Sequence, residues 1–290
     1  MTRAEMFSLP ERGVIALTGA DAAGWLNNLI SNDVLLLLQV PVMFSGLLSP
    51  QGKLLFEFFV YRAGDGLLIE TALPTVETLI KRLRLYKLRA KIELQNVTVD
   101  WAVIWGVGAL PSVLPSGTMA AGDPRSPGGL WRGVCRRVAA TGLPVGGPYL
   151  ETRMQLGIGE APQDYALGDT FPHEANFDLQ NGASFTKGCY VGQEVVSRMQ
   201  NKTVVRKRVV RVSAADVMSS GYEVTVGAAV IGKIGSVAGT DGLAMVRMDR
   251  VVEAIDGGVA IETQGCAITI DAEAVRRYRQ SVLDRPVIDL

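Results

Sequence analysis

From residue 204 onward the chain is written in short β-rich pieces, 204–212, 222–226, 230–237, 243–248 and 267–270, punctuated by glycines at 227, 232, 235, 239 and 242. β-Branched side chains suit a pleated backbone, and glycines permit the turns and bulges between strands. Several short strands at such close spacing fold as a small barrel or sandwich. A domain boundary near residue 203 follows, giving regions 1–203 and 204–290.

The first region has a different texture. Asp21 can cap a helix in which Trp25, Leu26, Leu29 and Ile30 fall at helical spacing, ending near Ser31-Asn32-Asp33. After a turn at Ser49-Pro50-Gln51-Gly52, residues 54–61 read as a buried strand, and Gly64-Asp65-Gly66 as a hairpin before Leu67-Leu68-Ile69. Pro74 suits a first helical turn, and Val76, Leu79, Ile80, Leu83 and Tyr86 form one apolar stripe that reads as core. A further strand is expected over 97–105. These elements predict an α+β region with helices on one face of an antiparallel sheet. Residues 106–129, crowded with Gly, Pro and Ser, read as a connection or insertion, followed by a strand over 131–138 and a short helix over 149–156. The aperiodic stretch 157–182 is too long for an ordinary turn and reads as a site loop or peripheral wrap.

Charge excludes some partners. With 29 basic against 29 acidic side chains, no net field draws the chain to nucleic acid or to an anionic membrane. Three scattered cysteines, Cys135, Cys189 and Cys266, and a single histidine, His173, make a self-built metal site an unfavoured expectation, so no metal ligands are assigned. Sparse unpaired cysteines fit a reducing compartment. The opening Met1-Thr2-Arg3-Ala4-Glu5-Met6 reads neither as a secretory signal nor as a transit peptide. A soluble, cytoplasmic protein is expected.

Chemistry concentrates in 184–199. Glycines flank Cys189-Tyr190-Val191 and would let a ligand approach the backbone, while Lys187 is placed to lower the thiol's pKa. Gln193 and Glu194 add an amide and a carboxylate, suited to the donor–acceptor edge of a heterocycle. The competing reading makes Cys189 a small buried apolar side chain and the glycines mere turn formers.

The string Ser184-Phe185-Thr186-Lys187-Gly188-Cys189-Tyr190-Val191-Gly192-Gln193-Glu194 resembles the signature of the YgfZ family, relatives of the glycine-cleavage T-protein. The resemblance extends to Trp25-Leu26-Asn27-Asn28-Leu29-Ile30-Ser31-Asn32-Asp33-Val34, Leu48-Ser49-Pro50-Gln51-Gly52-Lys53, Phe171-Pro172-His173-Glu174-Ala175-Asn176 and Leu243-Ala244-Met245-Val246-Arg247-Met248-Asp249. It implies a T-protein-like fold: a folate-binding α+β body of ferredoxin-like halves with a C-terminal β-barrel, around a cavity for tetrahydrofolate or a derivative. It implies a role in assembly or repair of [4Fe–4S] proteins, including radical-SAM enzymes that modify tRNA, with iron–sulfur clients and assembly factors as partners. Cys189 would be the functional thiol, aided by Lys187. Arg153, Gln155, Glu174, Asn176, Tyr190, Gln193 and Glu194 would face the cofactor.

Two positions separate this expectation from its rival, a folate-dependent aminomethyltransferase acting on a one-carbon substrate. Where the T-protein carries paired aspartates, this chain aligns Phe56 and Glu57, so the first carboxylate beside the reacting nitrogen is missing. Its Arg-x-Glu-Ala-Gly stretch corresponds to Arg153-Met154-Gln155-Leu156-Gly157, and Gln155 keeps an acceptor but loses the charge-assisted pair to the pterin. A conventional enzyme is therefore not expected.

The basic residues Arg198, Lys202, Arg206, Lys207 and Arg208 read first as a solvated strand edge, with an RNA backbone or a polyglutamate tail as alternatives. His173 reads as a loop anchor with an acid–base role as the alternative, and Trp25 as core packing.

Overall fold

The computed structural model describes residues 5–284. Contacts divide the chain into two units, the first made of Met1–Pro50, Leu54–Tyr149 and Gln180–Gln193. In chain order it contains β1 (Phe7–Ser8), β2 (Arg12–Thr18), α1 (Ala22–Asn27), β3 (Val42–Leu48), β4 (Leu54–Ala63), β5 (Gly66–Ala72), α2 (Val76–Arg84), β6 (Glu93–Asn96), β7 (Trp101–Val107), β8 (Met119–Gly122) and β9 (Leu130–Arg136). One antiparallel sheet runs β3-β4-β5-β2-β6 and a second runs β1-β7-β9-β8. Ile15, Leu17, Phe58, Val60, Leu67 and Ile69 alternate onto the face where Leu26 of α1 and Val76, Leu79, Ile80 and Leu83 of α2 pack. The helical stripe read from the sequence is thus core, and both helices cover one face of the sheet.

Local differences have local causes. Asp21 stands at the start of α1 without capping it, because its carboxylate instead accepts from the Lys91 amide at 2.7 Å. The helix stops at Asn27, earlier than the spacing suggests, and Ile30 bridges to Leu47 of β3. Residues Val34–Leu38 form a 3-10 turn capped by Asp33. Strand β7 starts at Trp101 because Val97 closes a turn, its carbonyl accepting from the amides of Asp100 and Trp101. The hairpin of β4 and β5 forms as expected, with Ala63 opposite Gly66 and Gly64 at φ 57°, a conformation that costs glycine little.

The other face of the first sheet carries charge. Glu70, fully buried on β5, accepts from Arg12 Nε at 2.8 Å, Tyr61 Oη at 2.7 Å and Arg132 Nη2 of β9 at 2.6 Å. Arg132 also donates to Asp123 at 3.0 Å, and Asp123 is gripped by Arg125 through Nε at 3.1 Å and Nη2 at 2.9 Å. Tyr149 Oη accepts from both Arg125 and Arg132, while the Arg132 guanidinium lies 3.8 Å from the Phe59 ring centroid. Burial alone raises a carboxyl pKa, but the neighbouring guanidiniums prevail: Asp123 is held at about 2, and Glu70 is also lowered. Burial and the Glu70 charge push the Tyr61 hydroxyl well up, so it remains a donor. Segment 106–129 therefore contributes strand β8 and two members of a buried ionic cluster, Asp123 and Arg125, where the sequence suggested a connection.

The second unit comprises Gln51–Lys53, Leu150–Leu179 and Glu194–Leu290. Helices α3 (Tyr149–Gln155) and α4 (Gln193–Lys202) precede β10 (Lys207–Ala214), β11 (Glu223–Val226), β12 (Ala229–Ala238), β13 (Asp241–Arg247), α5 (Met248–Asp256), β14 (Ile261–Thr263), β15 (Cys266–Ile270) and α6 (Ala272–Asp284). The six strands close a barrel in the order β10-β13-β12-β11-β14-β15, with β15 returning to β10. Val210, Val212, Val224, Ile234, Ala244, Val246, Ile268 and Ile270 alternate inward to fill it. At Gly232 a Cβ would stand 2.3 Å from the Met245 carbonyl, so β12 can approach β13 only with glycine there. The molecule is thus an α+β body with a C-terminal β-barrel. Arg208 departs from a solvated edge: it pairs with Asp178 at 2.7 Å and donates to the His173 carbonyl at 2.7 Å, both partners largely buried.

Candidate functional site

The signature segment belongs to no regular element until α4 begins at Gln193. Its ends are fixed. Ser184 donates its amide to the Ser31 carbonyl at 2.9 Å, Ser31 Oγ donates to the Gly182 carbonyl at 2.6 Å, and Asn32 Nδ2 donates to the Asn181 carbonyl at 2.7 Å. Ser31 and Asn32 are themselves buried against β3, where Asn32 Nδ2 donates to the Phe44 carbonyl at 2.8 Å and Gly46 donates its amide to Ser31 Oγ at 2.9 Å. The sequence motif around residues 25–34 is the cradle in which the signature segment lies. Trp25 of α1 donates Nε1 to the Tyr86 carbonyl just beyond α2 at 3.0 Å.

Within the segment, Tyr190 is buried and Val191 packs on the first core, whereas Cys189 is exposed. The thiol is therefore accessible, and the reading of Cys189 as a buried filler does not hold. Burial pushes the Tyr190 phenol up to about 12, and its hydroxyl has no hydrogen-bond partner among the described residues. Gly192 takes φ 82°, where a side chain would be strained, but Gly188 has ordinary backbone and open space around it.

Lys187 differs from the sequence expectation. Its ammonium donates to the main-chain carbonyls of Asn27, Ile30 and Asn32, the last two at 2.9 Å, and lies 5.1 Å from the Tyr190 ring centroid. An ammonium has three N–H bonds. All three are engaged by backbone, so none is left to donate to the thiol. Burial lowers its pKa to about 8, with the Asp33 charge acting in the opposite direction.

The remaining expected residues are placed as follows. Gln193 opens α4, and its amide donates to the Tyr190 carbonyl at 3.3 Å. Glu194 is exposed and pairs with Arg198 one turn on, at 2.9 Å. In the second unit, Arg153 is buried, donating to Asp164 at 2.7 Å, the Ile158 carbonyl at 3.0 Å and Ser236 at 2.5 Å. Glu174 accepts from the Phe171 amide at 2.8 Å, and Asn176 donates to the Val209 carbonyl at 2.8 Å. His173, buried, bonds Gln200 of α4 at 3.1 Å. Glu174 thus closes the 171–174 turn on itself, His173 ties it to α4, and Asn176 ties it to β10. Gln155 is exposed at a cavity of about 420 Å³, beside Glu151, Arg211, Asp241 and Asp271. Among the described residues no three His, Cys, Asp or Glu side chains gather as a metal set, and no helix is long and apolar enough to cross a membrane.

Residues 206–276 match the family model described as the CAF17 C-terminal beta-barrel domain. Over 93% of this chain and 86% of its own, the crystal structure of the glycine cleavage system aminomethyltransferase T from Bartonella henselae superposes with a TM-score of 0.68 at 15% identity, a likeness of fold. The iron-sulfur cluster assembly factor IBA57 of Mus musculus is 30% identical over 281 residues, which cover 84% of this chain and 78% of that protein. The chain belongs to the IBA57 family. The fungal homologues of Mycosarcoma maydis and Neurospora crassa are 33% and 30% identical, and the chain spans 57% and 53% of their lengths. Those relatives are named as iron-sulfur cluster assembly factors.

One expectation is overturned. These IBA57 relatives are mitochondrial proteins by name, against the cytoplasmic location read from the sequence. The physical reason is that sparse, unpaired cysteines argue against an oxidising compartment but do not tell one reducing compartment from another. Of the N-terminal stretch used in that reading, residues 1–4 lie outside the described residues.

Proposed function

We propose that this IBA57-family chain is a tetrahydrofolate-binding accessory protein that supports assembly or repair of [4Fe–4S] proteins, radical-SAM tRNA-modifying enzymes among them, with Cys189 as its working thiol. The observation that carries the proposal is the exposed Cys189 on a segment whose neighbours on either side, Lys187 and Tyr190, are fixed in the first unit. An accessible thiol on a held loop is the arrangement for exchange with a partner's sulfur or metal. The resemblance of its surroundings to the YgfZ signature supports the same reading.

Folate is the group to test against these residues. Gln155 presents an exposed amide at a cavity of the second unit, where it suits the edge of a heterocycle that offers donors and acceptors. The carboxylates and amides of Glu174, Asn176 and Arg153's partner Asp164 are engaged within the protein, which argues for weak binding. Phe56, half-buried against the first core, supplies no charge where a transferase would hold a carboxylate. An accessory role is favoured over aminomethyl transfer on that ground.

Calorimetric titration with tetrahydrofolate is expected to show one saturable event. Replacing Gln155 by Ala should weaken it about fivefold, the loss of one hydrogen bond of about 1 kcal/mol. Absence of saturation at millimolar folate would remove the cofactor from the proposal. Formation of methylenetetrahydrofolate from an aminomethylated carrier would replace it with the transferase. For the assembly role, cells deleted for this protein should recover the activity of a [4Fe–4S] enzyme when the chain is returned, and continued deficiency would count against it.

A further inference from the structure

A lysine whose three N–H groups all meet main-chain carbonyls is a structural cation before it is a chemical one. Lys187 reaches 160 residues back in sequence to the carbonyl of Asn27, the last residue of α1, and to those of Ile30 and Asn32 in the turn that follows. The last carbonyls of a helix have no donors within it, and a cation there is doubly favoured by hydrogen bonding and by the helix dipole. With only six residues, α1 gains its terminal donor from a distant part of the chain. The same strip is stitched again by Ser184 to Ser31, Ser31 to Gly182 and Asn32 to Asn181. Beyond Lys187 the next fixed point is Tyr190, buried at 7% exposure. Gly188 and Cys189 are the two residues slung between them, and the space around Gly188 is open.

We infer that Lys187 is a positioning residue: its ammonium clamps the Cys189 loop to the 27–32 turn through three carbonyls, and it does not serve as the charge or proton donor that activates the thiol. The inference rests on the reading of Cys189 as the working thiol, and it reassigns the lysine that the sequence placed as the thiol's activator. Arginine cannot replace it. Three carbonyls converging on one nitrogen suit a compact tetrahedral ammonium, whereas the planar guanidinium spreads its donors over separate nitrogens.

Amide hydrogen exchange and iodoacetamide alkylation, both read on peptides of the purified chain by mass spectrometry, test this. In Lys187→Met, exchange over 28–33 and 181–191 is expected to accelerate about tenfold or more, as for any local opening made easier, while β10 and β13 of the barrel keep their protection. The dependence of the Cys189 alkylation rate on pH should keep its shape, and Lys187→Arg should behave as Lys187→Met does. Unchanged exchange in Lys187→Met would overturn the clamp, as would an alkylation profile displaced to higher pH with exchange unaltered, since that is the behaviour of a lysine acting on the thiol by charge. If Lys187→Met loses barrel protection too, Ser31→Ala reads the same seam with the lysine intact: a local rise in exchange over 181–191 supports the clamp, and none overturns it. The two readings fail separately, because these measurements need no client protein, whereas a silent Cys189 variant in cells would remove the thiol and leave the clamp.

Discussion

Glu70→Gln lowers the stability of the first unit by about 3–5 kcal/mol, the cost of removing one partner from a buried ionic cluster. Glu70 is wholly buried and serves Arg12, Arg132 and Tyr61 together, so the substitution leaves two guanidiniums beside one another without the charge between them. Asp123 remains, already committed to Arg125 and Arg132. The four tryptophans, Trp25, Trp101, Trp105 and Trp131, all belong to the first unit, so their fluorescence follows its unfolding. At a urea slope of about 2 kcal/mol per M, the midpoint should fall by about 1.5–2.5 M. A fall below about 0.5 M would mean that the cluster is neutral to stability.

The same cluster sets a direction for acid. A carboxyl held below its unfolded value contributes stability that is complete above that value and lost as pH falls through the folded one. Asp123, at about 2 against an ordinary 3.8, contributes on the order of 2 kcal/mol by this linkage, and Glu70 adds in the same direction. The tryptophan-reported midpoint should therefore decline between pH 4 and pH 2. In Glu70→Gln the decline should be shallower, because one of the two depressed carboxyls is gone.

Cys189→Ala is expected to fold as the parent does and to leave the [4Fe–4S] enzyme as inactive as in cells lacking the protein. The stability half follows from exposure: a surface side chain outside the core changes stability by about 0.5 kcal/mol or less. The functional half follows from chemistry, since a methyl group can neither exchange with a disulfide nor ligate a metal. Circular dichroism melting and enzyme activity in the complemented deletion strain read the two halves. Full rescue by Cys189→Ala would end the thiol hypothesis. Cys135 serves as the control: it is fully buried and burial pushes its thiol pKa up, so its replacement should disturb packing without this functional signature.

Where the sequence was legible, the signal was periodic. The stripe of Val76, Leu79, Ile80 and Leu83 and the strand pair around Gly64-Asp65 are short-range patterns, and each formed where spacing indicated. Signals that needed a distant partner were misplaced. Asp21 had a cap's position but found the Lys91 amide. Segment 106–129 had a linker's composition, yet Asp123 and Arg125 complete a cluster whose other members lie on β2, β5 and β9. Arg208 stood in a basic run and turned inward to Asp178.

The signature segment draws the line most clearly. Residue types alone determined that a thiol, a lysine and an amide lie within seven positions of one another, and the match to a recurring string pointed to the family's kind of work. Tertiary structure alone decided which of them faces solvent. Cys189 is exposed and Lys187 is turned into the backbone because the acceptors that claim the ammonium, Asn27, Ile30 and Asn32, belong to the end of α1 and the turn after it, about 155–160 residues away. Proximity in sequence suggested that the lysine serves the cysteine. The long-range hydrogen bonds make it serve the loop that carries the cysteine.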